Sequence, residues 1–333
     1  QDDSSGSGSG LKILKVGSGE QILTGNIDLS NSADSYVNLH EGTLAFDPGA
    51  GKTQEIAYLI GSGTLKLDNT SNAAQTIQIG LANTSSKKTF SGNVTLSGSG
   101  TNTVNVGGGE ATGFNKHQEF SGVVSGAANL KKTGSGKLTL SGSNTFSGGV
   151  TIADGGGTKD GGILVAGHNN ALGDGTTRIE HGKLAIGAGK TVTVGSTAGD
   201  VDAILGQATT NNTDMKSVIG GGVGNAVGTG IATIDNGGGT QIDIGSGANQ
   251  IDVLSPGMAH ASSMSNGTSD HQVVAGNEGL LTNSIGTVQI DKIGFKNGGV
   301  FDWEITDFTG NNSDGSDWDV LKFDTLDFSE SDS

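Results

Sequence analysis

The chain of 333 residues holds 61 glycines, 2 prolines and no cysteine, which excludes disulfide frameworks and thiolate metal sites. Glycine far exceeds its usual share of about 7 per cent, yet the G-X-Y period and proline of collagen are missing. With 34 acids against 18 bases the net charge is −16, and Arg178 is the single arginine, so no basic stripe exists to replace phosphate counterions and nucleic acid is excluded as a partner.

The predicted elements begin with a polar Gly/Ser leader, Gln1–Gly10. It has no charged n-region or apolar h-region, and it reads as a mature terminus left after cleavage of a signal peptide. Leu11–Val16 (LKILKV) alternates and reads as an opening strand, so residues 1–16 form an N-terminal unit. Residues 17–300 form the body. Ile22–Leu29, Tyr36–Leu39 and Thr43–Phe46 are short strands of period 2, and helical turns are allowed only at Ala111–Phe120 and Asp200–Met215.

From Gly61 to Val194 the pattern sharpens. Leu138/Leu140, Val150/Ile152, Leu184/Ile186 and Val192/Val194 are expected to point inward, with the alternating Lys and Thr residues outward. Gly134, Gly136, Gly142, Gly148 and Gly149 mark the corners with Asn144, Asn169 and Asn170. One phrase recurs, as TFSG at Thr89–Gly92, EFSG at Glu119–Gly122 and TFSG at Thr145–Gly148. A second, GSG followed by a strand, occurs at Gly61–Leu67 and Gly134–Leu140. Recurrence at this period points to stacked units that bury their apolar faces on one another, with Phe90, Phe120 and Phe146 stacking as equivalents. At ~20 residues per rung the chain could supply at most ~15 rungs. Gly220–Gly230 reads as a loop or loosely packed rung, Ile231–Leu254 as strands again, and Ala259–Asp270 as a polar excursion. No apolar run is long enough to span a membrane, and no series of ten-residue amphipathic membrane strands is present.

Residues 301–333 differ from the rest: ten acids, one base (Lys322), both tryptophans (Trp303, Trp318) and four phenylalanines. This segment reads as an acidic, aromatic C-terminal cap or assembly segment. Within it Asp314, Asp317 and Asp319 flank a glycine turn and are candidate ligands for Ca²⁺, a hard cation that seeks oxygen, although the EF-hand spacing is missing.

Phe120–Val123, Lys132–Gly142 and Ser143–Ile152, with Asn170–Gly173 and Gly182–Leu184, resemble the autotransporter-associated β-strand repeat of bacterial surface proteins. The resemblance covers about a quarter of the chain. It implies an all-β protein, a right-handed parallel β-helix or β-solenoid at the bacterial cell surface or outside the cell, and no reaction.

Asn212-Thr213-Asp214, Gly167-His168-Asn169 and Arg178-Ile179-Glu180 resemble fragments of polygalacturonase-type motifs, but their order is wrong, no Asp-Asp pair lies between them, and the two facing carboxyls that inverting hydrolysis needs are not supplied. The six histidines (His40, His117, His168, His181, His260, His271) show no paired spacing and read as surface turn residues. The leading expectation is a non-enzymatic subunit of a self-assembling surface fibre or coat. It would polymerise through its two terminal segments, with Lys12, Lys15, Lys87, Lys88, Lys131 and Lys132 opposite the acidic end in a head-to-tail contact. The rival is a monomeric adhesin binding a glycan or a host surface along its flank. The third reading is a polysaccharide-active enzyme.

Overall fold

The structure, a computed structural model, describes the chain from Lys12 to Phe328 with breaks. Residues 1–11, 154–162, 194–215, 256–286, 302–319, 329–333 and some shorter stretches lie outside the described residues. Among the described residues all regular structure is β, in strands of two to eight residues paired in parallel.

Strands that pair are separated by other strands along the chain. Lys12–Lys15 pairs with Tyr36–Leu39, skipping Glu20–Leu23 and Asp28–Leu29, which pair instead with Thr43–Phe46 and Thr53–Ile56. The chain therefore visits three sheets in turn and coils into a β-solenoid. The first sheet has eleven strands and runs from Lys12–Lys15 to Gly299–Phe301; the second has five and ends at Val124–Gly126; the third has seven and ends at Thr177–Ile179. Five complete three-sided turns result, closing at Asn129–Thr133. Eleven strands at ~4.8 Å span roughly 48 Å along the axis. Beyond these turns two smaller sheets take over, ending in Val320–Lys322 and Thr325–Asp327.

Short alternating runs make this coil because each strand buries one face only. Thr64–Leu67 and Tyr36–Leu39 both alternate between half-buried and buried residues. Along the axis, inward residues form columns: Leu39, Gly61, Phe90, Phe120, Leu140, Ala166 and Ile186 occupy one position of successive strands in the first sheet. Phe90 and Phe120 meet edge to face with ring centroids 6.2 Å apart. The core is one continuous column from Leu29 to Ile293, each buried Leu or Phe contributing about 1.5–3 kcal/mol.

The corners explain part of the repeated phrase. Gly63, Gly92, Gly122 and Gly142 stack on one another, and a Cβ added at Gly92, Gly122 or Gly142 would strike the carbonyl of the glycine one turn earlier. The serine-glycine of TFSG and EFSG is thus a close backbone approach.

Several expectations are corrected. His117–Phe120 is a strand and not a helical turn: Gln118 and Phe120 are buried, and the segment lies in register between Lys88–Phe90 and Lys137–Leu140. Phe146 is buried but is not the equivalent of Phe90 and Phe120. The residue paired with Phe120 is Leu140, while Thr145–Ser147 lies over Val124–Gly126, with Thr145 N donating to Val124 O (2.9 Å) and Ser147 N to Gly126 O (3.0 Å). The two GSG-strand phrases also fall on different faces, Thr64–Leu67 in the second sheet and Lys137–Leu140 in the first. Gly220–Val223 belongs to the strand Lys216–Val223. The segment Asp200–Met215 lies outside the described residues.

Candidate functional site: flank and ends of the solenoid

Three buried amides stitch turns together where the backbone ladder is interrupted. Gln118 donates from Nε2 to Leu59 O (3.0 Å) and Lys88 O (3.2 Å), and its Oε1 accepts from Leu59 N (3.2 Å). It reaches past the intervening strand because that strand pairs with Leu59–Gly61 only at Phe90, opposite Gly61. Asn144 accepts at Oδ1 from Val124 N (2.8 Å) on one side and donates from Nδ2 to Ala171 O (2.6 Å) on the other. Gln54 accepts from Ile27 N (3.1 Å) and donates to Gly25 O (2.9 Å). The sequence reading placed Asn144 at a corner but missed Gln54 and Gln118, whose spacing does not distinguish them from outward-facing polar residues.

The flank of the first sheet carries a polar cluster. Glu119 accepts from Lys87 Nζ (2.7 Å), Thr89 Oγ1 (3.0 Å) and Ser141 Oγ (2.6 Å). Burial raises its proton affinity, but these donors outweigh burial and hold the carboxyl below its ordinary range. His117 lies in the adjacent row, with Nε2 2.8 Å from the Thr139 hydroxyl. Burial, then the charges of Lys137 and Lys87, push its pKa down to about 3. The histidine is therefore neutral near pH 7 and is a half-buried strand residue, not a surface turn. The His–Thr contact has the form of a base–nucleophile pair, but the cavity at His117 measures about 10 Å³, the size of one water.

Lys132 breaks the expected outward rule for lysines. It occupies the inward column of the third sheet between Val104 and Ile152 and is fully buried. Its Nζ donates to Thr133 O and Gly134 O, each at 2.7 Å, and burial lowers its pKa to about 7. Lys137, on an outward position, is nine-tenths buried, and burial followed by the charge of Lys87 lowers its proton affinity. Lys132 is thereby removed from the basic face predicted to meet the acidic end.

Lower on the same flank, Tyr36 and Tyr58 stack at 5.0 Å, with Lys12 Nζ 5.5 Å from the Tyr36 ring centroid and Lys88 Nζ 4.9 Å from that of Tyr58. The cation–aromatic ladder spans the first four turns.

Among the described residues the exposed large apolar side chains lie at the two ends. At the first turn a cleft of about 630 Å³ opens between Ile13, Leu23, Ile27, Leu29 and Leu44. Leu14, Val16 and Ile22 beside it are 61, 59 and 50 % exposed. At the far end Phe301, Phe323 and Phe328 are 38, 44 and 66 % exposed, and Phe295 packs against Phe301 and Phe328.

The predicted Ca²⁺ ligands Asp314, Asp317 and Asp319 lie outside the described residues, as do Asn212–Asp214, His181, His260 and His271. Among the described residues no three His, Asp or Glu side chains gather as a metal site, and no helix is long and apolar enough to cross a membrane. His168 sits in a turn, where its Nδ1 accepts from Asn170 N (3.0 Å).

Residues 130–158 match the family model of the passenger-associated-transport-repeat, within the stretch that resembles the autotransporter-associated repeat. They run from the third-sheet strand Asn129–Thr133, through Lys137–Leu140 of the first sheet, past Asn144, to Val150–Ile152. Comparisons with curated proteins and with solved structures give no match.

Proposed function

We propose that this passenger-type repeat solenoid is a non-enzymatic structural subunit of a surface fibre or coat outside the bacterial cell. The observation that carries the reading is the long parallel sheet, whose first and last strands, Lys12–Lys15 and Gly299–Phe301, are each paired on one side only among the described residues. Unpaired edges are templates for further pairing, and folds that stay monomeric blunt or cover them. The repeat family supports secretion or surface display. Cation bridging at Asp314, Asp317 and Asp319 belongs to the same reading.

Electron microscopy of the purified protein, with Ca²⁺ and again after EDTA, tests it. Regular filaments or sheets are expected, and their loss in EDTA supports cation bridging. Isolated short rods in both conditions would remove the fibre reading. The adhesin would then lead, because the Tyr36–Tyr58 stack with Lys12 and Lys88 offers a flank suited to sugar rings and acidic groups. In that case Tyr36→Ala with Tyr58→Ala should abolish binding on a glycan panel.

A further inference from the structure

We infer that copies of this chain join head to tail, with the first-turn cleft of one copy seated on the aromatic end of the next. The inference rests on the subunit reading above and names the surfaces that meet.

All six exposed large hydrophobic side chains among the described residues lie at the two ends. Leu14, Val16 and Ile22 belong to the first turn, and Phe301, Phe323 and Phe328 to the last strands and the residues beside them. Along the flank from Asp28 to Val192, the described residues include none. Scattered apolar residues are ordinary on a surface, but two clusters at opposite ends of one column mark contact faces. The aliphatic end is concave, through the cleft at Ile13 and Leu23, and the aromatic end supplies ring-sized groups to fill it.

Strand polarity selects the arrangement. Every pairing along the solenoid is parallel, so a second copy translated along the axis continues the first sheet in the same sense, Lys12–Lys15 beside Gly299–Phe301. End-to-end contacts between like ends would place the strands antiparallel. Charge agrees. Lys12 and Lys15 lie in the first strand, and Glu20 beside them is paired with Lys66 at 3.6 Å. Residues 301–333 carry ten acids and one base. The occupant is a second copy rather than the leader, because Gln1–Gly10 contains no apolar side chain with which to fill the cleft.

Two variants separate the outcomes by sedimentation across a wide concentration range. One carries Leu14→Glu, Val16→Glu and Ile22→Glu; the other carries Phe323→Lys and Phe328→Lys. All five positions are at least two-fifths exposed, and circular dichroism checks that both variants keep the β fold. The wild type should form species that grow with concentration. Each variant alone should stay a single copy, and an equimolar mixture should stop at twice the monomer mass, because each partner retains one good face. Dimers formed by either variant alone, or assembly of either variant as long as the wild type, would overturn the head-to-tail contact while leaving the subunit reading standing. A wild type that remains a single copy throughout would overturn both. Cross-links between the cleft and residues 1–11 of the same copy would assign the cleft to the chain's own leader and also overturn the inference.

Discussion

Single side chains hold this fold at places where the backbone cannot. Asn144 bonds to Val124 on one side and to Ala171 on the other, while buried to 2 % exposure. Asn144→Ala leaves a buried N–H and a buried carbonyl without these partners. It should destabilise the protein by about 2–4 kcal/mol, read as a lower urea midpoint at unchanged slope. Lys132 and His117 govern the response to pH. The folded state holds Lys132 at about 7 against its ordinary 10.5, so the unfolded chain binds the extra proton between those values and stability rises as pH rises through that window. In Lys132→Met most of that rise should be lost from a plot of melting temperature against pH between 7 and 10.5, leaving the smaller share due to Lys137. His117, held at about 3 against 6.5, works in the same sense in acid: stability falls as pH drops from 6.5 toward 3. His117→Gln should flatten that limb, with each tenfold change in proton affinity worth about 1.4 kcal/mol.

At the scale of strands and corners, backbone spacing dominates. The Gly92–Gly122–Gly142 stack leaves no room for a methyl group, and the obstacle is a carbonyl that cannot swing aside. Gly122→Ala should therefore cost about 2–4 kcal/mol, measured by thermal or urea unfolding, whereas Gly19→Ala, with nothing within 4 Å, should be nearly silent. Much of this level was legible in the sequence. Leu138 and Leu140, Val150 and Ile152, and Leu184 and Ile186 are buried as read, with Thr139 and Thr151 half-buried between the first two pairs and Ala185 buried between the third. The face each strand joins was not legible. GSGTLKL and GSGKLTL have nearly the same local pattern yet belong to different sheets, because the path between them, and not the phrase itself, sets the angular position of a strand. Phe146 was misaligned for the same reason. Gln118 and Lys132 were hidden because an inward polar residue breaks the alternation from which burial is inferred, and its partners are backbone groups on other turns.

For the whole molecule, turns pair strand by strand with their neighbours, and Gln118 alone of the three stitching amides reaches a turn further to Leu59, so stability is close to a sum of interfaces along one axis. Turns in the middle have two interfaces and terminal turns have one. Hydrogen exchange should be slowest in Lys88–Phe90, His117–Phe120 and Lys137–Leu140 and fastest in Lys12–Lys15 and Thr325–Asp327, with a graded profile between. A uniform rate across all strands would mean that the column opens as one unit instead. The charge contrast between the two terminal segments was legible in the sequence, but the exposed apolar side chains near the ends were not. Leu14, Val16 and Ile22 look in sequence like any other strand residues, and only their place on the first turn exposes them.

The registers along the first sheet carry a consequence for how such a chain can change over generations. Phe90, Phe120, Leu140, Ala166 and Ile186 share one column although the chain between them takes 30, 20, 26 and 20 residues. The column senses only where the chain returns, not how far it has travelled. Insertions at a corner other than the Gly92–Gly122–Gly142 stack, or duplication of a full circuit such as 120–139, decorate the rod or lengthen it while the column keeps its register. Reach and surface ornament can thus vary independently of the core, like beads added to a string whose knots stay fixed.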